Sequence, residues 1–296
     1  MPGVDWLAFS RRAFEAGRSA LTEFPKRAQR SERLGRGEGG DMTLAIDGAV
    51  EDAIFEELDA LGVGLCVVSE ERGVVEIAGG GPVQLVIDPI DGSLNAKRGL
   101  PQYSISIAVA DGDDMSTVEF AYVANFATGE EWSARRGQGA FCDGEALEIR
   151  AGEHDRLEIL GVESAHPWLV SAHSDALAET HADRMRMLGS IALSLCYVAS
   201  TRFDGLVSLR PVRSVDVAAG QLIVREAGGE VAFPDRGHDG VAPGLGLDMR
   251  SRVVAAASRP ILEQLVGTAE KVDAQFRRAH STPWRDSDEL TAQDPE

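Results

Sequence analysis

The stretch Val86-Ile87-Asp88-Pro89-Ile90-Asp91-Gly92-Ser93-Leu94-Asn95 constrains the chain more than any other. The run Gln84-Leu-Val-Ile87 has the length and β-branched content of a strand. It delivers Asp88 at its carboxyl end, where α/β sheets place their ligand sites. Pro89 fixes its own φ and forces Asp88 into an extended conformation, which makes the turn stiff. Asp91 follows three residues later, so the two carboxylates can face one point if the turn winds back. Gly92 allows a ligand to approach closely, and the amides of Gly92 and Ser93 can begin a helix aimed at an anion. Carboxylate, carbonyl and hydroxyl oxygens suit Mg²⁺, a hard cation. A surface Asp-Pro and Asp-Gly turn would use the same letters, and the motif alone does not decide between them.

The segments on either side predict alternating layers. A first helix starts after Asp5, with Leu7, Phe14 and Leu21 recurring every two turns. Residues 31–41 read as a Gly-rich loop. Ile46, Val50, Ile54, Leu58 and Leu61 then mark a stronger helix that Gly62 and Gly64 stop. Leu65-Cys-Val-Val68 is a short strand, and residues 103–142 read as strands and turns. The second half predicts a strand at 157–162, helices near 174–186 and 190–200, and a strand at 205–209. It ends with a helix at 215–227, a strand at 252–256 and a helix from about 260 to 279. The expected organisation is an N-terminal α+β half, residues 1–150, carrying most of the candidate ligands. A C-terminal α/β half, 151–280, carries Asp216, and 281–296 reads as an acidic disordered tail.

The formal charge of −19, from 29 basic and 48 acidic residues, repels phosphate backbones and anionic lipid. Neither nucleic acid nor a membrane surface is therefore an expected partner, and an anionic substrate needs a local arginine patch or a metal. Three separated cysteines, Cys66, Cys142 and Cys196, form neither a disulfide framework nor a zinc motif, and Cys142 and Cys196 read as core residues. No apolar run reaches the roughly 20 residues of a membrane span. The opening residues lack the order of a secretory signal, so a cytoplasmic protein is expected. His154, His166, His173 and His181 read as surface or core, and Gly79-Gly80-Gly81-Pro82 lacks the ending of a P-loop.

Further acids occupy comparable positions. Ser69-Glu70-Glu71 ends a strand, which a solvated turn would also explain. Asp216 and Asp47 each open a helix, where the dipole alone favours an acid by about 0.3–1 kcal/mol. Their joint order has no such simple account. Together with Asp41-Met-Thr-Leu-Ala-Ile-Asp47, Gly137 to Phe141, Leu188-Gly-Ser190, Val215-Asp-Val-Ala-Ala-Gly220 and Glu226-Ala-Gly-Gly229, they span roughly residues 41–229. In that order the chain resembles the inositol monophosphatase family, within the superfamily of fructose-1,6-bisphosphatase and other Li⁺-sensitive, Mg²⁺-dependent phosphomonoesterases.

The resemblance implies an alternating αβαβα sandwich, with the site between the two halves, and a homodimer. It implies two Mg²⁺ ions, or three. Glu70, Asp88 and the carbonyl of Ile90 would hold the first, and Asp88, Asp91 and Asp216 the second. Asp47 and Ser93 would activate water, and Glu71 would assist as an acid or third-metal ligand. Gly92 and Ser93 would receive the phosphate, with Gly189 and Ser190 against the substrate. Metal ions would also relieve the crowding of acids, since unit charges 4 Å apart repel by about 4 kcal/mol at a dielectric near 20.

The sequence departs from the family in the stretch before Asp216. It has no acid there to contact inositol hydroxyls, and Val215 replaces a frequent Trp. Arg210 and Arg213 stand there instead, which suits a second anionic group on the substrate and resembles the archaeal-type dual-specificity branch. The expected substrate is a small phosphorylated metabolite, with inositol-1-phosphate first. Fructose-1,6-bisphosphate, a 3′-phosphonucleotide and histidinol phosphate follow. A catalytically silent metabolite-binding regulator is the alternative of a different class.

Overall fold

Alternate residues of one strand feed two separate cores. Val86 of the strand Gln84–Asp91 packs into one apolar cluster, whereas Leu85 and Ile87 point into another. The computed structural model describes residues 3–36, 38, 42–150, 156–236 and 242–279. Asp41, His154, residues 281–296 with Trp284, and part of the expected boundary between halves lie outside the described residues.

Gln84–Asp91 belongs to an eight-stranded sheet. Its spatial order is Glu145–Leu147, Ala140–Cys142, Glu131–Arg135, Val118–Asn125, Ser104–Ala110, Gln84–Asp91, Leu65–Ser69 and Gly73–Ile77. Neighbours are antiparallel except Leu65–Ser69 and Gln84–Asp91, which run parallel, so both carboxyl ends open on the same edge. A five-stranded sheet follows in the order Arg184–Arg186, Ile159–Glu163, Gly205–Ser208, Val254–Ala256 and Glu230–Ala232. Its first three strands are parallel to one another.

Five layers result, in the order αβαβα. The helices Trp6–Thr22 and Ala45–Asp59 cover the outer face of the large sheet through Phe9, Phe14, Ile46, Val50 and Ile54. Ile191–Ala199 and Ser214–Glu226 lie between the two sheets, sharing a cluster with Val68, Val86 and Ala108 on one side and Leu206 and Ala255 on the other. Arg259–Ala279, Pro167–Ala172 and Ser174–Ala178 cover the far face of the small sheet. The two central helices meet at Gly220, where a Cβ would lie 2.6 Å from Leu195 Cδ1, so no larger residue fits between them. Glu226, the last residue of its helix, accepts hydrogen bonds from the amides of Gly137 and Gly139, both at 2.9 Å. It thereby ties the helix end to the turn before Ala140–Cys142.

Several sequence expectations need correction. The expected loop at 31–41 contains the strand Arg33–Arg36, paired antiparallel with Met42–Leu44. The expected helix near 174–186 stops at Ala178. His181 adopts a left-handed φ of 54°, and Arg184–Arg186 then joins the small sheet beside Ile159–Glu163. Gly73–Ile77 and Glu230–Ala232 are further edge strands, too short to show a period in sequence. Cys196 is buried, but Cys142 is only half-buried beside Glu130. Burial and the Glu130 carboxylate push the Cys142 thiol up to about 12. Glu130, Cys142 and Asp143 could converge on a cation, yet the Glu130 carboxylate is already paired with Arg202.

Candidate active site

A β-bulge brings Asp88 and Asp91 together. Residues three apart on a regular strand face opposite sides. Here Asp88 pairs with Ser106 and Asp91 with Ser104, so Gln84–Asp91 carries one extra residue between them and both carboxylates reach one side. Pro89 has no N–H to donate and sits inside the irregularity, where no ladder bond is demanded of it. Asp88 Oδ1 accepts from the amide of Ile90 at 3.0 Å, and Ser93 Oγ donates to the Ile90 carbonyl at 2.9 Å. Gly92 then turns the chain with φ 92° into the short helix Ser93–Arg98. A Cβ on Gly92 would lie 2.8 Å from the Gln102 carbonyl oxygen, so this position requires glycine for space as well as for φ.

Helix ends supply the next two acids. Asp47 and Asp216 are each the third residue of a helix, and each reaches back to the amide before it. Asp47 Oδ2 accepts from Leu44 N and Asp216 Oδ2 from Arg213 N, both at 3.1 Å. Capping therefore fixes one oxygen of each carboxylate and holds both residues at the wall of the site. Glu70 follows the strand Leu65–Ser69 and pairs with Arg213, whose Nε also lies 3.3 Å from Asp216 Oδ1. Asp91 Oδ2 accepts from Ser190 Oγ at 2.6 Å and from Ala192 N at 2.7 Å.

These groups surround a cavity of about 320 Å³. Its lining includes Asp47, Glu70, Glu71, Asp88, Ile90, Asp91, Gly92, Ser93, Glu163, Ser164, Gly189, Arg213 and Asp216. Among the described residues the lining sets seven carboxyl groups against one guanidinium, so the cavity favours the entry of cations or protons. Asp88 is 1% exposed, Asp47 4%, and Glu70, Asp91 and Asp216 each 7%. Burial raises the carboxyl of Asp47 to about 7, with Glu71 and Glu51 adding to the effect. Burial likewise carries Glu70, Asp88 and Asp91 above the ordinary carboxylate range. For Asp88, repulsion from Glu70, Asp91 and Asp216 adds to it.

The donor set fits a hard divalent cation. Asp88 Oδ2 and Asp47 Oδ1 are buried with no hydrogen-bond partner among the described residues, an arrangement costly for a carboxylate unless a cation balances it. The same cavity is lined by further carboxylates and by serine hydroxyls, the hard oxygen chemistry that suits Mg²⁺ and Ca²⁺, beside the Arg213 guanidinium.

The structure gathers most of the sequence-derived candidates here, with two exceptions. Ser190 lies behind the lining, bonded to Asp91. Arg210 is outside it, with its guanidinium 3.1 Å from Nε2 of His166. Arg213 is inside but holds Glu70 and Asp216, two candidate metal ligands. Glu163 and Ser164 are additional lining residues. The available signal for Glu163 was the one that marked Asp88, an acid at the carboxyl end of an expected strand.

A family model described as the inositol monophosphatase family matches residues 6–274. The chain belongs to the inositol monophosphatase family. It is 34% identical over 278 residues to a fructose-1,6-bisphosphatase/inositol-1-monophosphatase of Methanothermobacter thermautotrophicus, covering 90% of this chain and 97% of the relative. It is also 34% identical over 271 residues to the Nus factor SuhB of Haemophilus influenzae, covering 89% and 97%. A solved inositol monophosphatase-fructose 1,6 bisphosphatase shares the fold with a TM-score of 0.77 at 25% identity, over 90% of this chain and all of the other. As a member of the inositol monophosphatase family, the chain is a metal-dependent phosphoric monoester hydrolase of the sugar-phosphate class. No helix among the described residues is long and apolar enough to cross a membrane.

Proposed function

We propose that this phosphatase uses Mg²⁺ and hydrolyses inositol-1-phosphate, with fructose-1,6-bisphosphate as the second candidate. The observation that carries the reading is the convergence of buried Glu70, Asp88, Asp91 and Asp216 on one cavity, with Asp88 Oδ2 left without a hydrogen-bond partner among the described residues. Glu70, Asp88 and the Ile90 carbonyl would hold one ion, Asp88, Asp91 and Asp216 a second, and Glu71 would stand by a third. Bound divalent ions supply positive charge to the phosphate, polarise the phosphoryl group and lower the pKa of water.

The chain's own groups do the rest. Asp47 lines the same cavity as the candidate ligands and would accept a proton from water. Ser93 lines the same cavity, its hydroxyl oriented by the Ile90 carbonyl. The Gly92 and Ser93 amides stand at the head of Ser93–Arg98 and would seat the phosphate. Gly189, packed against Gly92, would bound the substrate there, and Ser190, bonded to Asp91 behind the lining, would act through that carboxylate. Arg213 is held by Glu70 and Asp216, so a second anionic group on the substrate would fall to Arg210, beyond the lining, and the dual-specificity relative supports fructose-1,6-bisphosphate as that alternative. The resemblance favours a homodimer, and three unpaired cysteines suit a cytoplasmic location.

A phosphate-release screen over phosphorylated metabolites tests this reading. Inositol-1-phosphate is expected to turn over fastest, with activity lost in excess EDTA, restored by Mg²⁺ and suppressed by Li⁺. Undiminished release in EDTA removes the metal mechanism. Calorimetric Mg²⁺ binding without hydrolysis of any compound would favour a metabolite-binding regulator.

A further inference from the structure

We infer that Glu163 is a positioning residue, a buried carboxylate of the small sheet that fixes the segment 188–192 and through it the metal-facing carboxylate of Asp91. The inference rests on the metal-dependent reading above.

Glu163 ends the strand Ile159–Glu163 and is 3% exposed. Its Oε1 accepts from Leu188 N at 2.9 Å and from Ser194 Oγ at 2.7 Å, and its Oε2 accepts from Gly189 N at 3.1 Å. Those donors bracket Ser190 and Ala192, which both donate to Asp91 Oδ2. The segment 188–194 therefore links the small sheet to a candidate ligand on the large one, hydrogen-bonded to Glu163 at one set of residues and to Asp91 at another. The carbonyl side of the same segment is held by Asn95, whose Nδ2 donates to the Leu188 carbonyl at 2.7 Å and to that of Gln102 at 2.7 Å. The Gly189 carbonyl stands against Gly92, where an added Cβ would lie 3.1 Å from it. The segment is thus clamped from both sides at the point where it meets Asp91 and Gly92.

The carboxylate is difficult to replace. A glutamine offers one acceptor oxygen and turns an NH₂ toward a main-chain N–H, and an aspartate is one methylene short of spanning Leu188, Gly189 and Ser194. An additional buried anion in a cavity already rich in acids is costly, and apolar packing alone would not require one. Partners that orient metal ligands typically contribute 10–100-fold to metal affinity or activity.

Calorimetric titration of Mg²⁺ into the metal-free full chain, with kcat and KM measured over a range of Mg²⁺, tests the inference. Glu163→Gln, one step behind the groups that bond Asp91 directly, is expected to weaken Mg²⁺ binding by about 10-fold, the low end for partners that orient metal ligands. It should also lower kcat at limiting Mg²⁺, with much of that loss recovered at high Mg²⁺, a signature a purely structural role would not give. Wild-type Mg²⁺ affinity in folded Glu163→Gln overturns the inference, as does a kcat loss that no Mg²⁺ concentration relieves. If Glu163→Gln does not fold, Ser194→Ala removes one of the three donors and leaves the carboxylate. A smaller weakening in the same direction supports the inference, and unchanged affinity overturns it. Wild type and Asp88→Asn serve as references. If wild type binds no Mg²⁺, both readings fall; if it binds, Asp88→Asn does not and Glu163→Gln binds normally, only the role of Glu163 falls.

Discussion

Replacing Asp47 by Asn is expected to stabilise the metal-free protein while removing its activity. Asp47 is 4% exposed, and burial, reinforced by Glu71 and Glu51, raises its carboxyl from 3.8 to about 7. At about 1.4 kcal/mol per pH unit, holding that group ionised in the folded chain costs about 4 kcal/mol above pH 7. Because the folded value lies above the unfolded one, the group is harmless below pH 4, and stability is lost as pH rises through about 7. Asn is neutral throughout and retains an acceptor for the Leu44 amide. In EDTA at pH 8 the variant should therefore melt higher, by about 8 °C at roughly 2 °C per kcal/mol. Near pH 4 the two midpoints should coincide. Thermal unfolding at both pH values, beside phosphate release, makes the comparison, with a turnover loss of about 10²–10⁴-fold expected for a missing general base. An equal midpoint at pH 8, or a gain that persists at pH 4, would refute the claim that the buried charge is what costs stability.

Asp88→Asn should lower turnover by at least about 100-fold and leave the chain folded, as circular dichroism and kcat together would report; near-normal activity contradicts the ligand assignment. Gly92→Ala sets a Cβ 2.8 Å from the Gln102 carbonyl at φ 92°, so it should destabilise by about 1–3 kcal/mol and depress kcat. A variant as stable and active as wild type would show that the turn tolerates bulk. Arg210→Ala should reduce hydrolysis of fructose-1,6-bisphosphate more than that of inositol-1-phosphate; equal relative losses argue against its reading a second phosphate.

The sequence was most legible where one residue type had a single physical use. The helix of Ile46, Val50, Ile54 and Leu58, the strand ending in Asp88 and the close-packed face around Gly220 all follow from period or size. For Asp47 and Asp216 the cap explanation holds, and it leaves both residues on the lining of the cavity, so capping and a role in the site are compatible. What stayed hidden depends on distant partners. Arg184–Arg186 is a strand only because Ile159–Glu163 lies beside it, and Arg33–Arg36 because Met42–Leu44 does. The bulge between Asp88 and Asp91 is visible only against Ser104 and Ser106. Glu163 acts on residues 25 and more positions away. Arg213 could be placed near the site from its position, but that it would grip Glu70 could not be read without the fold.

The clasp between Glu226 and the amides of Gly137 and Gly139 has a bearing on how kinship and chemistry should be separated. Two of the stretches that make the ancestry of this chain easy to recognise are answering each other across the protein, and neither borders the cavity. A descendant that had discarded every acid of the catalytic pocket would still have reason to keep both, as its architecture would demand them. Sorting working phosphatases from retired ones therefore calls for inspecting Glu70, Asp88, Asp91 and Asp216, and for disregarding the glycine turn and its glutamate.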